Sequence, residues 1–77
     1  MNNARRKALT TINERIAEFR DVLEELKDVE QEYYDNMPES FQAGEKGQKS
    51  EAAVDAIDSA IQSIEEAAGY LDEAVAA

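Results

Sequence analysis

The chain has 77 residues, no Cys, no His and no Trp, and a formal net charge of −10. Without thiols or imidazoles it can build no disulfide framework, no thiolate metal site and no nucleophile–histidine pair. Its apolar runs reach only three or four residues, too short for a membrane span.

A chain of this size forms one small domain, near the limit at which a single chain buries enough surface to be stable alone. The charge is unevenly spread. Residues 1–20 carry five basic and two acidic side chains, net +3, and residues 21–77 carry three basic and sixteen acidic, net −13. Direct nucleic-acid binding through a basic footprint is therefore not expected. An anion site would have to be built locally from the first helix against an adverse overall field. Met1 to Lys7 hold three basic residues with no apolar run behind them, so no secretory signal is expected and the expected location is the cytoplasm.

The first predicted element is a helix over about residues 4–36, capped by Asn2 or Asn3. Leu9, Ile12, Ile16, Phe19, Leu23 and Leu26, followed by Glu30 and Tyr33, keep an unbroken 3-4 spacing, the pattern of packed helices. Val22, Leu26, Val29 and Tyr33 form a second line, so the apolar face widens towards the helix end, as a 3.6-residue helix drifts against a 3.5-residue repeat. Glu30 is the one polar member of the main line.

A connector over about residues 37–49 follows. Pro38 forces Met37 out of helical geometry and ends the first helix. The run "PESFQA" before Gly44 reads as a single helical turn with Pro38 at its start and a glycine stop. Met37 and Phe41 are expected to cap the end of the core, and Gly44 and Gly47 to bracket a polar link.

The second long helix is expected over about residues 50–76, with Ser50 as N-cap and Glu51 in the first turn. Val54, Ile57, Ile61, Ile64, Ala68, Leu71 and Val75 repeat the 3-4 spacing, and alanines at 53, 60, 67 and 74 line one flank. The hairpin needs one stripe per helix, so the extra small-residue flank calls for another helix against it. Gly69 falls on the polar face. The fold class is all-α: an antiparallel two-helix hairpin, one domain over residues 1–77, assembling into a symmetric helical bundle with a homo-oligomer core of Leu9, Ile12, Ile16, Phe19, Leu23, Leu26, Val54, Ile57, Ile61, Ile64, Leu71 and Val75.

Catalysis finds no support. The hydroxyls lack a base or a glycine-rich elbow, and Glu30 in its apolar register is the one carboxyl placed to act as an acid. No loop has calcium-ligand spacing, so neither a metal nor another cofactor is expected. Two charged features remain. Glu51, Asp55, Asp58, Glu65 and Asp72 follow one line, with Gln62 and Gly69 between them. They form either a solvated face or a nucleic-acid mimic directed at a basic host protein. With Glu66 and Glu73 the second helix holds seven acids, and seven charges over about 40 Å give roughly one per 6 Å, sparse beside the one per ~1.7 Å of duplex DNA. Arg5, Arg6 and Lys7 occupy a first turn whose dipole disfavours cations. Either Asp72 and Glu73 neutralise them, or symmetry gathers them with Arg15 or Arg20 into an anion pocket. Tyr33 reads as packing, and Tyr34 and Tyr70 as freer stacking faces.

The stretch Tyr34 to Gly47, Y-D-N-M-P-E-S-F-Q-A-G-E-K-G, resembles a signature of small helical-hairpin proteins of tailed phages and prophages. These join a basic first helix, a Glu-rich stretch and an Ala/Ile/Leu-rich second helix through a "(Y/F)-D-N-x-P-E-x-x-Q" turn. Asp35, Asn36, Pro38, Glu39, Gln42, Gly44 and Gly47 match that turn, and the likeness runs over nearly the whole chain. No catalytic or binding residues come with it. It implies a phage-type accessory protein acting in counter-defence. The favoured version sequesters a small nucleotide-derived immune signal in pockets between subunits, with Arg5, Arg6, Arg15, Arg20, Tyr34, Asn36, Gln42, Gly44 and Gly47 as candidate ligand residues. An acidic inhibitor of a host protein is the second version, and a structural or assembly role the third.

Overall fold

The computed structural model describes residues 1–77 and contains three helices: α1 (Asn3–Asp35), α2 (Glu39–Gln42) and α3 (Glu45–Ala76). α1 and α3 pack antiparallel into a rod 58 Å long and about 15 by 12 Å across, with α2 folded over one end. No helix is long and apolar enough to cross a membrane.

The ends of α1 follow from its sequence. Asn2 is the N-cap, its Oδ1 accepting the Arg5 N–H at 2.9 Å, which satisfies one of the donors a helix start leaves open. At the other end Asn36 N–H reaches Glu32 O and Met37 N–H reaches Tyr34 O, after which Pro38 stops the helix. Pro38 takes the N-cap place of α2, one position ahead of the turn, and its carbonyl accepts the N–H groups of both Phe41 and Gln42.

α3 starts five residues earlier than its sequence suggests. Its N-cap is Gly44 in extended geometry, not Ser50, so the connector is short and the helix includes Lys46 and Lys49. The reason lies at Gly47, which is buried in the first turn. A Cβ there would overlap the backbone of Gln42, so glycine lets α2 lie directly on α3. Ser50, freed from capping, is 2% exposed and faces α1.

The seam between the long helices is more polar than expected. On α3 it comprises Gly47, Ser50, Val54, Ile57, Ile61, Ile64, Ala68, Leu71 and Val75, with Ile61 the most buried apolar side chain at 3% exposed. On α1 it comprises Arg6, Leu9, Asn13, Ile16, Arg20, Leu23, Lys27, Glu30 and Tyr34. Apolar and polar positions alternate, each class recurring every seven residues. The apolar line read from the sequence thus straddles two faces. Leu9, Ile16 and Leu23 turn towards α3, whereas Ile12, Phe19 and Leu26 lie on an adjacent face at 48%, 62% and 52% exposure. Tyr33, expected in the packing, is open at 55%, and Tyr34, expected to be free, turns into the seam. Phe41 is likewise exposed rather than sealing the core.

The rod exposes 5694 Å², against about 4,700 Å² for a folded monomer of its 8.6 kDa mass. Its 17.4 Å radius of gyration also exceeds the ~11 Å of a compact chain this long. The elongated shape accounts for the excess, and most of the exposed large apolar side chains lie on the outer face of α1.

Candidate functional site

The polar positions of α1 meet the acidic line of α3 in opposite chain order. Asn13 Nδ2 donates to Asp72 Oδ1 at 2.8 Å and to Ala68 O at 3.2 Å. Lys27 Nζ donates to Asp58 Oδ1 at 3.2 Å, and Gln62 Nε2 to Asp58 Oδ2 at 2.9 Å. Tyr34 lies beside Glu51, whose carboxylate as hydrogen-bond acceptor, followed by burial, raises the phenol above its usual 10.0. The same register places Arg20 level with Glu65, but the Arg20 guanidinium pairs with Asp21 of its own helix at 3.2 Å. Glu30 is met by Ser50, whose Oγ donates to Glu30 Oε1 at 2.8 Å.

The acidic line is therefore a seam partner before it is a free face. Asp58 and Asp72 accept hydrogen bonds from α1 and Glu51 lies beside Tyr34, which leaves Asp55 and Glu65 as its free members. Asp72, expected opposite the basic N-terminus, is taken by Asn13. The four ion pairs of the chain involve Arg20, Lys27 and Lys49, so Arg5, Arg6, Lys7 and Arg15 have no carboxylate partner. Arg6 also buries its Nε without a hydrogen-bond partner.

The candidate ligand residues fall into two groups. Arg5 and Arg6 lie at one end of the rod. Tyr34, Asn36, Gln42, Gly44 and Gly47 lie at the other, some 40 Å away along α1. Arg15 and Arg20 stand between. One chain does not bring the groups together. Within the connector several candidates are committed to the fold. Gln42 Nε2 donates to Tyr34 O at 3.1 Å, Gly47 is buried against Gln42, and the Tyr34 phenol lies beside Glu51.

What remains open at that end is a shallow groove of about 280 Å³ lined by Tyr33, Asn36, Met37, Pro38, Phe41 and Lys46. Lys46 Nζ stands 5.7 Å from the Phe41 ring centroid, so a cation and two aromatic faces meet beside the Asn36 amide. Tyr33, Phe41 and Lys46 were not legible as site residues because the first two read as core and the third as linker. The signal was the aromatic spacing Tyr33 to Phe41 across a turn that reverses the chain. A second hollow, of about 400 Å³, is lined by Tyr34, Glu39, Gln42, Ala43, Gln48 and Glu51; its two carboxylates make it unsuited to an anion. The depression over Ser59, Gln62, Ser63, Glu65 and Glu66 lies on α3 alone and has no opposing wall. No cluster of three carboxylates converges as a metal site.

No family model, curated protein or solved structure matches this chain.

Proposed function

We propose that the chain is a non-catalytic binding protein that works as a homo-oligomer, a phage-type accessory factor in the counter-defence class suggested by its connector. Its ligand in this reading is a small nucleotide-derived signal held between subunits. One observation supports it above the others: four cations without carboxylate partners sit along α1, and an aromatic groove with Lys46 sits at the far end of the rod. An aromatic anion such as a nucleotide needs both kinds of contact. Within one chain the groove offers a single cation, Lys46, and in this reading a second copy adds the α1 cations to it.

The acidic-inhibitor alternative draws less support, because much of the acidic line is occupied within the hairpin. Thermal denaturation of the protein with a panel of cyclic nucleotides and ADP-ribose derivatives tests the favoured reading. A true ligand at ~100 times its Kd adds about 2.7 kcal/mol of stability, and Arg5→Ala or Phe41→Ala should abolish that shift. An unchanged midpoint across the panel overturns the nucleotide assignment.

A further inference from the structure

The outer face of α1 carries Ile12, Phe19, Val22, Leu26, Val29 and Tyr33, exposed by 48%, 62%, 52%, 52%, 63% and 55%. With Arg15 in line they run 3-4-3-4-3-4, a second packing seam about 100° around the helix from the one that α3 covers. A contiguous exposed apolar stripe of this kind marks an interaction surface.

We propose that a second copy of this chain covers this stripe, α1 against α1, in antiparallel orientation about a two-fold axis near Val22. This deepens the homo-oligomer proposed above and rests on self-association alone, not on the nucleotide. Three observations select the occupant and its direction. The first is charge. Asn3 to Arg20 carry five basic and two acidic side chains, whereas Asp21 to Asp35 carry one basic and seven acidic. Parallel pairing sets like against like along the whole length; antiparallel pairing sets the +3 half of each copy against the −6 half of the other.

The second is spacing. About a midpoint beside Val22, Ile12 comes level with Tyr33, and Phe19 with Leu26, so the stripe complements itself as a two-fold interface must. Arg15 then stands within about a turn of Glu32 of the other copy. The third is exposure: six apolar side chains, 48–63% exposed, lie in one contiguous line along a 58 Å rod with nothing of the same chain against them.

The arrangement has a consequence for the groove. Arg5 of each copy reaches the level of the other copy's connector, beside Asn36 and Phe41. The dimer thus completes two equivalent sites, each with a cation from one chain and aromatic walls from the other.

The chain has no native cysteine, so single-cysteine variants report the geometry directly. Sedimentation equilibrium at micromolar concentration should give twice the 8.6 kDa chain mass or an even multiple of it. Val22→Asp places like charges near the axis and should weaken self-association by ~100-fold or more, with helical circular dichroism retained. Under oxidation, Val22→Cys should cross-link to itself and Ile12→Cys should not. A mixture of Ile12→Cys and Tyr33→Cys should cross-link to each other. A monomeric wild type, an unchanged mass for Val22→Asp, or self-linking of Ile12→Cys overturns the proposal. A panel without a ligand leaves it standing, whereas a monomer removes both readings.

Discussion

A methyl group on Gly47 would overlap the carbonyl oxygen of Gln42, so the first turn of α3 and the end of α2 share space that only a hydrogen can occupy. The connector is therefore a packed corner rather than a tether. Gly47→Ala must push α2 off α3 and should destabilise the hairpin by about 1–3 kcal/mol, read as a lower urea midpoint. Gly69 makes the opposite case. It lies within α3, and a Cβ there would meet nothing within 4 Å, so Gly69→Ala should raise stability by roughly 0.5–1 kcal/mol.

Ser50 and Glu30 should behave as a coupled pair. Ser50→Ala leaves the Glu30 carboxylate facing a closed seam and should cost about 1–3 kcal/mol. Glu30→Leu combined with Ser50→Ala removes both polar groups from an otherwise apolar register. The double variant should recover most of that loss. Urea denaturation of the two single variants and the double variant gives the coupling; additive losses would show that the pair is not a unit.

Stability should fall in strong alkali before the helices lose their intrinsic propensity. The hydrogen bond to Asp58, opposed by partial burial, raises the Lys27 ammonium above its usual 10.5, and Glu51 raises the Tyr34 phenol above 10.0. Both folded values exceed the unfolded ones. Their contribution is therefore complete below about pH 10 and is lost as the pH rises through the raised values. Tyr34→Phe should make that alkaline decline shallower. Denaturant midpoints across a pH series at constant ionic strength check both statements.

The Asn2 cap is the sole side-chain cap on a long helix in this chain. Asn2→Ala should lower stability by ~1 kcal/mol, with Asn2→Asp close to neutral. Loss of amide protection confined to the first turn of α1 would identify fraying as the cause.

Much of the fold was legible in local chemistry. Asn2, Pro38 and the two apolar periodicities define the helices and their reversal without reference to tertiary contacts. Two features were hidden because they depend on the partner helix. The start of α3 was masked by Ser50, a good capping residue whose hydroxyl is used across the seam instead, and by Gly47, whose low propensity is tolerated for the close approach it allows. The split of the α1 stripe was masked because Leu9, Ile12, Ile16 and Phe19 satisfy one spacing while belonging to two faces. The signal that separates them is the polar series Asn13, Arg20, Lys27 and Tyr34, which mirrors Asp72, Glu65, Asp58 and Glu51 in reverse. Connector residues such as Asn36 and Gln42 stand out in the sequence because they share one short polar turn. Whether each reads a ligand or braces the turn depends on contacts such as that of Gln42 with Tyr34 O, which spacing does not reveal.

That mirrored series has an odd property: it is degenerate. Slide α3 along α1 by one heptad and almost every polar group finds another carboxylate waiting, so electrostatics alone would accept several alignments. Glu30 would not, because the same slip trades Ser50 for Ile57 and strands its charge against a hydrocarbon. One hydroxyl thus singles out, within the seam, the alignment that the repeating charge pairs alone leave open, the same alignment that the Gly47–Gln42 corner holds at the end of the hairpin.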